Sequence, residues 1–97
     1  MKNRYGLTGR GVSVAVLDTG ITPHVDFDGR IAVFLDLISG RVRPYDDNGH
    51  GSHVAGLIGG SGKASGGRYQ GMAPECSFIV LKILDHQCNG RKQDVLN

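Results

Sequence analysis

The sequence predicts an α/β fold with a parallel β-sheet. Three apolar runs carry this prediction, at residues 12–17 (VSVAVL), 31–38 (IAVFLDLI) and 76–84 (CSFIVLKIL). Nearly continuous apolar runs are typical of strands in parallel sheets, which are buried on both faces. A helix-compatible stretch lies at about residues 50–60, between the second and third runs. We therefore expect three parallel strands with interposed helices and loops, forming part of a larger, doubly wound sheet.

The first predicted strand ends at a carboxylate. Gly11 precedes the run, and Asp18-Thr19-Gly20 follows it directly. Open α/β sheets place their ligand crevices at the carboxyl ends of the strands. Asp18 is therefore predicted to lie at the edge of the sheet where a site would form.

A loop and a second strand follow. Proline, aspartate and glycine residues predict a loop over residues 21–30. The second strand, at residues 31–38, contains one interior charge, Asp36. A further loop over residues 39–49 leads to the helix.

The predicted helix begins in the stretch Asp46-Asp47-Asn48-Gly49-His50. The first four of these are turn and helix-cap residues, and an apolar face begins at Val54. His50 thus falls near the positive end of the helix, where a cationic imidazole is disfavoured. The glycines on either side of it allow another backbone to approach the ring closely. We interpret His50 as a candidate catalytic base.

The chain continues through a glycine-rich loop at residues 59–67 to the third strand and a turn at residues 85–90. Residues 91–97 resemble the opening of an amphipathic helix. A helix of one turn buries little apolar surface. We therefore expect this chain to be a truncated part of a larger domain.

Composition narrows the class of protein. Ninety-seven residues, a net charge of +2, 39% hydrophobic and 21% charged residues fit at most one soluble globular domain. The scattered basic residues argue against nucleic-acid binding. No apolar run is long enough for a membrane span or a leader peptide, so we expect no membrane association and a cytoplasmic location. Cys76 and Cys88 are expected to be reduced thiols.

Two other kinds of site are weighed against the catalytic interpretation. Glycines 9 and 11 precede their strand instead of following it, so the dinucleotide-binding fingerprint fails. His53 would share a helix face with His50 and could form a metal pair with Asp46 or Asp47, but a third ligand is missing. Asp46 and Asp47 are more simply helix-capping charges, the alternative being a substrate-side role for one of them. No metal and no cofactor are expected.

Three motifs together resemble the subtilisin-like serine proteases, or subtilases. They are VAVLDTGI at residues 14–21, HGSHVAG at residues 50–56 and GMAP at residues 71–74. The run YDDNGHG at residues 45–51 is most similar to the intracellular bacterial branch of that family. The resemblance covers about residues 7–97 and implies that residues 1–97 are an incomplete, N-terminal portion of a subtilisin-like catalytic domain.

The resemblance implies roles for several residues. Asp18 would be the aspartate of an Asp-His-Ser triad and His50 its general base. Thr19 could donate its hydroxyl to Asp18 and keep the carboxylate ionised. By similarity, Asn48 would line the substrate cleft beside His50, and the substrates would be extended peptide segments of peptides or proteins.

The sequence departs from the family pattern in ways that limit this function. It has no Gly-Thr-Ser-Met-Ala-type segment, so the nucleophilic serine is missing and the chain alone is expected to be nearly inactive. Loop 59–67 has no acidic residue or asparagine, so no calcium site is expected there. The alternative function is a non-catalytic, subtilase-like binding or structural fragment. An exposed, truncated sheet edge would favour self-association.

Overall fold

The structure is a computed structural model and describes residues 8–90. Within these residues the chain forms three strands and one α-helix, with two short 3₁₀ turns: β1 (Ser13–Asp18), a 3₁₀ turn (Val25–Phe27), β2 (Ile31–Asp36), α1 (His50–Gly59), a 3₁₀ turn (Lys63–Ser65) and β3 (Ser77–Lys82). The three strands and the helix confirm the elements predicted from the apolar runs. The helix predicted at residues 91–97 lies outside the described residues.

The three strands form one parallel sheet in the order β1-β3-β2. The register pairs Lys82 of β3 with Asp18 on one side and with Asp36 on the other. Three charged residues therefore end the three strands at the same edge of the sheet. All three are buried.

β2 is shorter than the predicted 31–38 because the carboxylate of Asp36 turns the chain. Its Oδ1 atom accepts the backbone N–H groups of Ile38 and Ser39, both at 2.9 Å, and its Oδ2 atom accepts the phenolic hydroxyl of Tyr45. Burial alone would raise the pKa of Asp36, but these hydrogen bonds outweigh it and lower the pKa. Hydrogen bonds to an ionised carboxylate are strong, so they hold the chain in a turn and end the strand at Asp36.

The core lies between the sheet and α1. Val16, Phe78 and Val80 point from the strands towards Ala55 of the helix, and all four are buried. Phe27 closes one end of this cluster by packing edge-to-face on Phe78, with ring centroids 5.3 Å apart. Packing of α1 on this face fixes where the first turn of the helix meets the end of β1.

The opposite face of the sheet is open in the part of the chain that the structure describes. Leu17 and Leu35 are 53% and 52% exposed, and Val33 is 41% exposed. Because side chains alternate between the two faces of a strand, every second residue of each strand lies on this open face. Its apolar surface resembles one that a further layer of structure would cover. None of the helices among residues 8–90 is long and apolar enough to cross a lipid bilayer.

Candidate active site

The site begins at the last residue of β1, Asp18, which is buried. Its Oδ1 atom accepts the backbone N–H of Thr19 at 2.7 Å. Both carboxylate oxygens lie 2.8 Å from Nδ1 of His50, which is 32 residues further along the chain. A rigid strand end and a helix start thus bring an aspartate and a histidine into direct contact.

His50 is the first residue of α1, as predicted. Gly49 precedes it as the N-cap in the left-handed region, with φ of 104°, a conformation that glycine adopts without steric cost. The His50 side chain is 57% exposed, although its Nδ1 atom is held by Asp18. With Nδ1 bound to the carboxylate, Nε2 is the ring nitrogen left to exchange a proton with another molecule.

Side chains from outside the helix satisfy the first N–H groups of α1. The N–H of His50 donates to Oδ1 of Asn48 at 3.0 Å, and the N–H of Gly51 donates to Oγ1 of Thr19 at 2.9 Å. Ser52 donates its N–H to Oδ2 of Asp46 at 2.8 Å and its hydroxyl to the same oxygen at 2.6 Å. Free N–H groups at a helix start are costly when buried, so these contacts stabilise the position of His50.

The carboxylate of Asp46 is the main cap of this helix. Its Oδ1 atom accepts the backbone N–H groups of Asn48 at 3.1 Å and Gly49 at 2.8 Å. Burial alone would raise the pKa of Asp46, but the hydrogen bonds from Ser52, Gly49 and Thr19 outweigh it and hold the pKa well below its usual range. The carboxylate therefore stays ionised and complements the positive end of the helix.

A sequence model described as "Subtilase family" matches residues 9–97. The chain belongs to the subtilase family. The match covers nearly the whole chain, as does the resemblance drawn from the three sequence motifs.

Known subtilases share both sequence and fold with this chain. It is 49% identical over 96 residues to Serine protease AprX of Bacillus subtilis. The aligned region covers 99% of this chain and 22% of AprX. A cold-adapted subtilisin-like serine proteinase superposes with a TM-score of 0.79 at 33% identity, covering 94% of this chain and 31% of that one. A serine protease of Aeromonas sobria, solved in complex with the chaperone ORF2, gives a TM-score of 0.71 at 25% identity over 94% of this chain and 16% of that one. The chain thus spans less than a third of the length of each.

Within this subtilase chain, Thr19 differs from the prediction. Its hydroxyl donates to Oδ1 of Asp46 at 2.8 Å, and its backbone N–H is the group that donates to Asp18. The hydroxyl oxygen also accepts the N–H of Gly51, which draws it towards the helix start and away from Asp18. Thr19 therefore links the strand end to the helix cap.

The two neighbouring aspartates also have different roles. Asp46 caps α1 as predicted, whereas Asp47 forms an ion pair with Lys82, its Oδ1 atom lying 2.6 Å from Nζ. Lys82 was not among the predicted site residues. The sequence could have indicated its role, because Lys82 is the one charged residue in the apolar run at residues 76–84 and a buried charge requires a partner.

Asn48 lies beside His50, where the family resemblance predicts the substrate cleft. Its side-chain oxygen accepts the N–H of His50, and its Nδ2 donates to the carbonyl of His86 at 3.0 Å. These two bonds orient an exposed amide next to the imidazole. Its contact with substrate stays a prediction.

Among residues 8–90, no three His, Cys, Asp or Glu side chains are grouped so that they could hold a metal ion. His53, the candidate for a metal pair, is exposed on α1. Cys76 is a buried free thiol and Cys88 an exposed one.

Proposed function

We propose that this chain supplies the aspartate and histidine of a subtilisin-type Asp-His-Ser triad in a serine endopeptidase. The observation that supports this most directly is the contact of His50 Nδ1 with both oxygens of Asp18 at 2.8 Å, at the junction of β1 and α1. Membership of the subtilase family and 49% identity to a serine protease support the same reaction class.

In the proposed reaction, His50 is the general base and Asp18 orients it. Nε2 of His50 takes the proton of a serine hydroxyl as the serine oxygen attacks the carbonyl carbon of a peptide bond. Asp18 stays ionised, accepts a hydrogen bond from the Nδ1–H group of His50 and stabilises the imidazolium that forms. Nε2 then gives its proton to the leaving amine nitrogen, and a water molecule repeats the cycle to release the acyl group.

These 97 residues contain no Gly-Thr-Ser-Met-Ala-type segment that could supply the nucleophilic serine. They also lack the oxyanion-hole asparagine that the family resemblance implies. We therefore infer that the 97-residue chain alone does not hydrolyse peptides at a useful rate. Its expected substrates are extended peptide or protein segments. One structural relative was solved with a chaperone, which supports a protein as the class of partner.

The experiment that tests this proposal is a chimera in which the chain replaces the matched segment of Serine protease AprX. We expect the chimera to cleave casein and the isolated chain to leave it intact. His50→Ala in the chimera should lower kcat by about a millionfold, the loss measured when subtilisin itself loses its triad histidine.

His53→Ala is the matched control, since it removes an exposed histidine from the same helix. It should lower casein cleavage far less than His50→Ala does, because it leaves the contact between Asp18 and His50 intact. Full activity in His50→Ala would overturn the assignment of the base. A folded chimera that lacks activity with every triad residue present would favour the non-catalytic alternative.

A further inference from the structure

A buried lysine lies beneath the proposed triad residues. Lys82 ends β3, the central strand, and its side chain is fully buried. Its Nζ atom lies 2.6 Å from the carbonyl oxygen of Thr19, 2.6 Å from Oδ1 of Asp47 and 2.9 Å from the carbonyl oxygen of Leu84. Within residues 8–90 all three hydrogen-bond partners of this nitrogen are acceptors, which matches the three donor protons of a lysine side chain.

The acceptors of this ammonium group come from three separate segments. Thr19 directly follows Asp18 at the end of β1, and Asp47 precedes His50 by three residues in the loop that enters α1. Leu84 lies on the chain that leaves β3. One side chain therefore connects the segment that carries the proposed triad aspartate to the segment that carries the proposed base.

The surroundings of Lys82 leave it little freedom to move. The ring of Tyr45 lies across its ammonium group, with Nζ 5.0 Å from the ring centroid. The backbone of Tyr45 is fixed in turn, because its carbonyl accepts the N–H of Ile21 at 3.0 Å. A cation held by a ring face and three oxygens loses a large interaction energy when any one of them withdraws.

We propose that Lys82 is a positioning residue for the Asp18–His50 pair, because it fixes the end of β1 relative to the loop before α1. This inference rests on the proposed function, since it concerns the same two residues. Lys82 does not touch His50. It acts through Thr19, whose backbone N–H bonds to Asp18, and through Asp47, whose loop places His50.

The tautomer of His50 reports this positioning without any catalysis. With Asp18 bound at Nδ1, the neutral imidazole carries its proton on Nδ1, whereas a ring without this bond populates both tautomers. Nitrogen-15 NMR of the 97-residue chain, at a pH where the imidazole is neutral, gives the ratio of the two forms. We expect Lys82→Met to lower the ratio of the Nδ1–H to the Nε2–H form by about tenfold, as expected for the loss of a hydrogen bond to a charged group.

Val80→Ala is the control for general loss of stability. Val80 is also fully buried on β3, two residues before Lys82, but it packs in the apolar core. The cavity that this substitution creates lowers the unfolding midpoint and should leave the tautomer ratio of the folded chain unchanged. An equal fall of the ratio in Val80→Ala and Lys82→Met would overturn the proposal, as would an unchanged ratio in Lys82→Met.

If Lys82→Met does not fold, Asp47→Asn decides the question. It keeps the lysine buried and weakens only its link to the loop before His50, at a side chain that is 42% exposed. A fall of the ratio by about threefold or more supports the proposal, and an unchanged ratio overturns it. If the tautomer ratio does not change in these variants while the chimera is active and depends on His50, this inference alone is refuted. If the chimera stays active after His50→Ala, the proposed function alone is refuted.

Discussion

Gly51 leaves no room for a side chain against Gly20. A Cβ atom on Gly51 would overlap the carbonyl oxygen of Gly20 and lie 3.0 Å from its amide nitrogen. Gly51 directly follows His50, and Gly20 lies two residues after Asp18. The separation of helix and strand at the candidate site is therefore set by contact between two backbones.

Gly51→Ala is expected to destabilise the chain by about 2 kcal/mol or more, because α1 must move away from β1 to admit the methyl group. Gly56→Ala on the same helix is the matched control. A Cβ atom there meets nothing within 4 Å, so this substitution should stabilise the chain by about 0.5–1 kcal/mol through helix propensity. Urea unfolding measures the change in unfolding free energy for each variant, and the two changes should have opposite signs. If Gly51→Ala is as stable as the parent chain, the close packing of helix and strand is refuted.

The capping carboxylate Asp46 makes stability depend on pH in the acidic range. Its pKa is lowered in the folded state, so it contributes stability that is fully present above its unfolded pKa of about 3.9 and is lost as the pH falls towards the folded value. Asp46→Asn removes an acceptor from the helix start and should cost about 1–2 kcal/mol at pH 7. Its unfolding free energy should also fall less steeply than that of the parent chain below about pH 4.

Asp28→Asn provides the comparison for this titration, since Asp28 is an exposed aspartate at the end of the first 3₁₀ turn. It should change the unfolding free energy by less than about 0.5 kcal/mol at pH 7. Parallel pH profiles for the parent chain and Asp46→Asn would show that Asp46 is not the cap.

The two cysteines should differ in reactivity towards a thiol reagent. Burial raises the pKa of Cys76, an effect that the nearby Arg30 partly opposes, and the side chain is inaccessible. Cys88 is exposed. Under native conditions we expect Cys88 to react about a hundredfold faster than Cys76, with both reacting after denaturation. Native Cys88→Ser should show no fast phase, and a fast phase in that variant would contradict the burial of Cys76.

The open face of the sheet should make the isolated chain self-associate. Leu17 and Leu35 are about half exposed there, on the two outer strands of the described sheet. We expect size-exclusion chromatography to show dimers or larger species that increase with concentration. Replacing both leucines with threonine, which keeps strand propensity, should shift the chain towards monomer.

Val42→Thr is the control for this effect, because Val42 is 86% exposed but lies outside the sheet. It should leave the association unchanged. A parent chain that elutes as a monomer at every concentration would contradict the prediction.

Local patterns were sufficient to predict the strands, the helix start and the Asp18–His50 candidates. Each depends on features within a few residues: an apolar run, a turn followed by an apolar face, or a carboxylate directly after a strand. The family resemblance then joined the two candidates across 32 residues of chain. In the structure, they are in contact.

The partners of Thr19, Asp47 and Lys82 could not be predicted in the same way. Thr19 contacts the carboxylates of both Asp18 and Asp46, and its hydroxyl bonds to that of Asp46, which lies 27 residues away in the sequence. The Lys82–Asp47 pair depends on β3 lying in the centre of the sheet, which the apolar runs do not determine. Such bonds depend on how distant segments meet, and that information is spread over the whole fold.

The order β1-β3-β2 also has a consequence for the timing of synthesis. The middle strand is the last of the three to leave the ribosome, so β1 and β2 have no sheet partner among residues 8–90 until β3 has emerged. By then Asp18 and His50 have both been translated, but β3, whose Lys82 links the end of β1 to the loop before α1, has only just been synthesised. Pairing between distant strands is slow compared with local helix formation. The nascent protein therefore carries both proposed catalytic side chains for some time before the Asp18–His50 contact can be held in place.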